Sequence, residues 1–153
     1  MITMARDRSY AELLEAVSGH SVLVWTCNTC VRFCDGLGGR DAAESLARRL
    51  SEDGVDVVGV ESSAACCFMR NAVKMAVSAE GCDLVLAVCC DIGARNASEA
   101  TGVPVLNPVI TFGPGYLDAD GHPRVASVLC GSTVIDEPLS EAAARSGCIE
   151  GPF

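Results

Sequence analysis

The chain is short of aromatic side chains, of basic ones and of histidine. Its 153 residues hold one Trp, two Tyr, four Phe and two His, and 11 Lys and Arg stand against 20 Asp and Glu, a formal net charge of −9. Binding nucleic acid requires Lys and Arg that displace counterions from phosphates, so nucleic acid is excluded as a partner and an anionic membrane surface is disfavoured. No apolar run approaches the roughly 20 residues of a membrane-spanning helix, and no membrane span is expected. Met1-Ile2-Thr3-Met4-Ala5-Arg6-Asp7-Arg8 lacks the apolar core of a signal peptide, which predicts a cytoplasmic protein. There is no Walker A sequence, and Gly36-Leu37-Gly38-Gly39 is not a GxGxxG fingerprint, so nucleotide binding is not supported. His20, between a helix and a strand, and His122, in a turn beside Pro123, read as surface residues rather than ligands.

What the chain does have is an Ala/Val/Leu-rich half of hydrophobic residues and ten cysteines. The length fits one domain over residues 1–153, with a core at about 17–115 and a looser segment at 116–153. Ser9 and Glu12 have capping-box spacing and predict a helix with Leu13, Leu14 and Val17 inward. The run Ser21-Val22-Leu23-Val24-Trp25 predicts a strand, and Asp41 with Glu44 a capped helix through Leu46, Ala47 and Leu50. Val55 to Glu61 predicts a second strand, followed by a helix from about Phe68 that turns Ala72, Val73, Ala76 and Val77 to the core. Leu84 to Val88 is a third strand, buried on both faces by its unbroken apolar character. A helix over Asp91 to Ala100 stops at Gly102, and Val103-Pro104-Val105-Leu106 is a fourth strand. Further on, Gly113-Pro114-Gly115 reads as a turn, Val125 to Leu129 as an added strand, Ser140 to Arg145 as a last helix and Gly147 to Phe153 as a tail. The βαβαβαβ order implies right-handed crossovers. The expected fold class is α/β: a single Rossmann-like three-layer domain with a parallel sheet of four or more strands.

The cysteines fall in a pattern on this plan. The first apolar run leads into Thr26-Cys27-Asn28-Thr29-Cys30-Val31-Arg32-Phe33-Cys34, the second to Cys66-Cys67 and the third to Cys89-Cys90. In a parallel sheet these positions are strand carboxyl ends, where open α/β sheets hold their ligands. In a reducing cytosol, convergent thiols point to metal binding or redox chemistry rather than structural disulfides. Soft sulfur suits a 4Fe-4S cluster or zinc. Cys27, Cys30, Cys67 and Cys90 are the primary metal ligands expected, with Cys34 as substitute. Vicinal cysteines seldom share one ion, so Cys66 and Cys89 are held in reserve. Cys82, Cys130 and Cys148 read as small core hydrophobes. Arg32, Arg40, Arg70, Lys74 and Arg95 read either as cations that balance an anionic cluster or meet a partner, or as ordinarily solvated side chains, and Arg32, Phe33, Leu37 and Arg70 are expected to form a docking surface. A thioredoxin-type dithiol is the lesser reading of the CxxC, because Cys34-Asp35-Gly36 follows where that motif has a helix.

With these positions in view, the chain resembles the methylenetetrahydrofolate reductase C-terminal-like family, the N-terminal domain of the small cysteine-rich partner subunit of the anaerobic enzyme. The family's GCGTCxxxC-like loop is similar to Thr26 to Cys34, with two glycine-like positions changed, and Gly38-Gly39 follows as its glycine pair does. Cys67 matches a cysteine opening the next helix, Cys89-Cys90-Asp91-Ile92-Gly93 an ACGxG motif, and Leu106 to Phe112 a PAxNT segment. The resemblance spans about Val17 to Gly115. Family members continue into a second cysteine-rich segment, where this chain has only Cys130 and Cys148. The resemblance implies a non-catalytic, metal-binding, electron-transfer subunit of an oxidoreductase complex in one-carbon metabolism. Its partner would be a flavin-dependent methylenetetrahydrofolate reductase-type subunit, with homo-oligomerisation left open. The competing readings are a zinc–thiolate structural or methyl-transfer protein and a dithiol oxidoreductase.

Overall fold

The computed structural model describes residues 1–129, 133–149 and 151–153, so Cys130 lies outside the described residues. The chain opens with a strand, β1 (Ile2–Arg6), where no element was expected. Helix α1 (Tyr10–Val17) follows and has its capping box in full: the Glu12 amide donates to the Ser9 hydroxyl while the Glu12 carboxylate accepts from the Ser9 amide. Leu13 and Val17 are its buried face. β2 (Ser21–Cys27) carries a buried Trp25 whose indole N–H donates to Ser63 Oγ at 3.0 Å. A single 3-10 turn at Val31–Phe33 and a glycine loop lead to α2 (Arg40–Glu52). That helix starts at Gly39 without a side-chain cap, so Asp41 sits in its first turn rather than capping it. β3 (Asp56–Ser63), α3 (Met69–Ala76), β4 (Leu84–Val88), α4 (Asp91–Thr101) and β5 (Val105–Leu106) complete the alternation. Gly102 closes α4 in the left-handed conformation that a helix C-terminus takes up with glycine.

β3, β2, β4 and β5 form one parallel sheet in that spatial order. All five residues of β4 are buried, as its unbroken apolar run requires. Full burial of such a side chain contributes roughly 1.5–3 kcal/mol. Strand order reverses direction at β2: the chain steps out to β3, then returns across β2 to β4. The crevice at such a reversal, outside the strand carboxyl ends, is the ligand position of open α/β sheets.

A second, antiparallel sheet was not expected from the sequence. It joins β1 to β6 (Val109–Leu117), β7 (Pro123–Leu129) and β8 (Thr133–Pro138), with α5 (Leu139–Arg145) packed on β1, β7 and β8. Gly113-Pro114-Gly115 therefore lies inside a strand. β6 pairs with β1 up to Pro114 and with β7 from Gly115, so the missing proline N–H falls where the strand changes partner. A Cβ at Gly115 would collide with the Arg124 carbonyl and the Thr3 methyl. The expected tail also packs: Ile149 bridges Arg6, whose guanidinium lies 5.1 Å from the Phe153 ring. No helix among the described residues is long and apolar enough to cross a membrane.

Candidate metal centre

Because β3, β2 and β4 run parallel as neighbours, their carboxyl ends lie side by side. Cys27 is the last residue of β2, Cys66-Cys67 follows β3, and Cys89-Cys90 follows β4. The Cys27 and Cys66 thiols lie close enough to influence each other, as do those of Cys66 and Cys89. Cys90 lies in electrostatic range of both Cys67 and Cys27. The two vicinal pairs divide alike: Cys66 and Cys89 are fully buried, whereas Cys67 is exposed and Cys90 sits at the edge of the core. Thus Cys66 and Cys89 form a lower layer, Cys27 and Cys90 lie at its edge with slight exposure, and Cys67 alone is exposed above it.

The neighbouring Cys66 thiol, together with burial, raises the Cys27 pKa. For Cys66 the neighbouring Cys27 thiol acts downward, but Cys89 and burial outweigh it and the net shift is upward. Burial also raises Cys90, partly offset by the Gly93 and Ile92 amides, because Cys90 is the N-cap of α4. These thiols are neutral near pH 7, and a cation entering among them must displace their protons.

The loop bearing Cys27 is pinned on all sides. The Asn28 amide donates to the Ser63 carbonyl at 2.8 Å, the Thr29 hydroxyl donates to the Ala64 carbonyl, and the Arg40 amide donates to Asn28 Oδ1 at 2.9 Å. Thr26, fully buried, accepts from the Gly39 amide at 3.0 Å and donates to the Val88 carbonyl at 3.1 Å. It ties the far end of the loop to the strand that delivers Cys89. Gly38 is needed beneath it, since a Cβ there would lie 2.6 Å from Val31 Cγ1 and 2.8 Å from Thr26 Oγ1. The Cys66-Cys67 turn is held by two asparagines: Asn71 Nδ2 donates to the Ala65 carbonyl at 2.7 Å and Asn96 Nδ2 to the Cys66 carbonyl at 3.1 Å. Gly93 leaves room for the lower layer, because a Cβ there would stand 2.7 Å from Cys89 Sγ and 2.8 Å from Cys66 Cβ. The antiparallel sheet braces the rim, as Thr111 Oγ1 accepts from the Asp91 amide at 3.1 Å. Asn71 and Asn96 were not singled out from the sequence, and Thr26 and Gly93 entered only as members of the cysteine motifs. Their one common signal is a small or amide-bearing residue close in the chain to a cysteine or to a helix facing one.

Cys30 and Cys34 form a separate pair on the 3-10 turn. Cys34 is buried and its Sγ points to the carbonyls of Cys30, at 3.3 Å, and Ile2, at 3.7 Å, under β1. Burial pushes it up to about 11. Cys30 caps that turn, half-buried, on the same loop as Cys27. Cys82 lies before β4, at the sheet's amino end, and Cys148 packs near Asp7. No disulfide links the described cysteines.

A single tetrahedral zinc, with Zn–S about 2.3 Å, gathers its sulfurs to about 3.8 Å from one another. Among the described residues no three thiols lie within 4.8 Å of each other; the one triad that does is Asp118, Asp120 and His122. That triad is a surface turn in which Asp118 Oδ1 already accepts the amides of Asp120 and His122. The thiol set is soft and convergent, and its described members are more widely spread than one ion gathers. Of the expected cations, Arg40 and Arg95 pair with Glu44 and Glu99 along their own helices. Leu37, expected in a docking surface, is buried in the core instead. No protein-family model, curated protein or solved structure matches the chain.

Proposed function

We propose that this chain is a Rossmann-like, three-layer metal-binding domain, cytoplasmic, serving as a non-catalytic electron-transfer subunit of a methylenetetrahydrofolate reductase-type flavoenzyme. The observation that carries the reading is the meeting of cysteines from three adjacent strand ends at the point where the strand order reverses. An iron–sulfur cluster supplies one-electron transfer when bound. Cys27, Cys67 and Cys90 would hold it, with Cys30 on the same loop as the fourth donor and the buried Cys66 and Cys89 nearby. Cys34, committed under β1, is the least available of the seven.

The protein's own part is to hold the thiols fixed. Thr26 and the Asn28 contacts lock the first loop, Asn71 and Asn96 lock the second, and the head of α4 directs the amides of Ile92 and Gly93 at Cys90. Amides aimed at sulfur favour the charged thiolate that a metal requires. Two absences in the sequence support a subunit role: no nucleotide fingerprint and no histidine near the rim to act as a general base.

Anaerobic purification with iron, acid-labile sulfide and zinc quantitation tests the reading. Iron and sulfide in comparable amounts, with a brown chromophore bleached by reductant, are expected. Zinc without sulfide would instead support a structural or methyl-transfer centre, and a metal-free protein cycling between dithiol and disulfide would support an oxidoreductase.

A further inference from the structure

Helix α3 turns an apolar stripe outward. Val73 is 56% exposed and Val77 70%, and both lie on one line with the exposed Met69, at positions i, i+4 and i+8. Phe68, 55% exposed, extends the stripe to the rim, and Ile92 is exposed in the first turn of α4, against which α3 packs. The inner face of α3 is already satisfied by Ala72 and Met75, so the outer residues are not a misplaced core. At the head of the stripe, Cys67, Phe68, Met69 and Arg70 line a shallow depression of about 440 Å³.

The charges on this face differ from those of the rest of the molecule. In a chain of net charge −9, the only charged side chains from Ser62 to Ala79 are Arg70 and Lys74, both on α3. Arg70 lies 5.6 Å from the Phe68 ring, and neither cation belongs to an ion pair among the described residues. Glu61, which shares a hollow with Lys74, accepts a hydrogen bond from Ser78.

We propose that the outer face of α3 docks a partner protein whose apolar patch is ringed by carboxylates, seating that partner over Cys67. The proposal rests on the electron-transfer reading for its purpose, and relocates the docking surface expected around Arg32, Phe33 and Leu37. Anchors such as Phe68 and Val73 supply the affinity, while Arg70 and Lys74 steer an anionic rim. A twofold contact with a second copy would set α3 against α3 and oppose like cations, which is why a different, acidic partner is the occupant.

The test uses the full chain, purified anaerobically, and the purified flavin-dependent methylenetetrahydrofolate reductase of the same cell, with sedimentation velocity at low and high salt. Val73→Glu and the double variant Arg70→Glu/Lys74→Glu change exposed positions only, and iron content is measured on each. The expected results are a wild-type complex weakened about tenfold by the charge reversal, and about thirtyfold by Val73→Glu, with iron retained throughout. A complex indifferent to both variants overturns the docking face and leaves the metal reading standing. A metal-free wild-type chain that still binds in an α3-dependent way removes the metal reading and keeps the face. No complex at all, self-association abolished by Val73→Glu, or pelleting with phosphatidylserine vesicles abolished by it, overturns the proposed occupant.

Discussion

Thr26 is a hydroxyl in a place where burial alone would favour valine. Its side chain has no solvent exposure, and it is retained there by accepting from Gly39 and donating to Val88. Thr26→Val keeps the shape and strands the buried Gly39 amide, so a loss of about 2 kcal/mol is expected. Urea unfolding measures it, with Thr26→Ser losing less; a valine variant as stable as wild type would mean that the bridge contributes nothing. The thiols set a pH dependence of known sign. Burial and neighbouring thiols hold Cys27, Cys34, Cys66 and Cys90 above their unfolded values. In the metal-free protein the unfolded chain therefore ionises first. Stability is fully present below about pH 8.5 and falls as pH rises beyond it. Urea midpoints at pH 7, 9 and 10 under reductant should decline in that order, and a flat series would contradict the buried, neutral thiols.

At the scale of elements, α3 and α4 carry the sharpest consequences. The sequence of α3 offers two apolar stripes, Met69/Val73/Val77 and Ala72/Met75/Ala79. The expected inward set, Ala72, Val73, Ala76 and Val77, drew on both; Ala72 is buried as expected, whereas Val73 and Val77 are exposed. The helix instead buries Ala72 and Met75 and keeps Asn71 within reach of the Ala65 carbonyl, a tertiary demand that periodicity does not encode. Met75→Ala should then cost about 2–5 kcal/mol, while Val77→Ala should lie within about 0.5 kcal/mol of wild type. Thermal unfolding of the two separates the registers, and the reverse order would restore the rejected one. In α4, Gly93→Ala forces a methyl against Cys89 Sγ and Cys66 Cβ. Overpacking of this kind typically costs about 1–3 kcal/mol, and here it also displaces the lower thiol layer. A Gly93→Ala protein with unchanged stability and metal content would show that the layer has slack.

Over the whole molecule, what was legible in the sequence was local. Three apolar runs ending in cysteines identified β2, β3 and β4, and the parallel sheet follows from their alternation with helices. The antiparallel sheet was not legible, because β1 acquires its strand character from β6, more than a hundred residues away, and β6 hides behind a Gly-Pro-Gly that looks like a turn. The cysteines were visible as a convergent set, but their layering was not. Which member of a vicinal pair is the more deeply buried depends on where each loop leaves its strand, and contacts such as Asn96 to the Cys66 carbonyl come from distant chain that spacing does not reveal. The second sheet matters for the site because β1 covers Cys34 and β6 braces Asp91 beside Cys90.

The central claim is that the rim thiols, and not the chain's other cysteines, hold a metal centre. Iron and sulfide content after anaerobic purification should therefore be compared in wild type, Cys27→Ser, Cys90→Ser and Cys148→Ser. The account predicts a loaded wild type and Cys148→Ser, with Cys27→Ser and Cys90→Ser depleted of both iron and sulfide. Equal metal content in all four proteins, or a wild type that binds neither iron nor zinc, would contradict it.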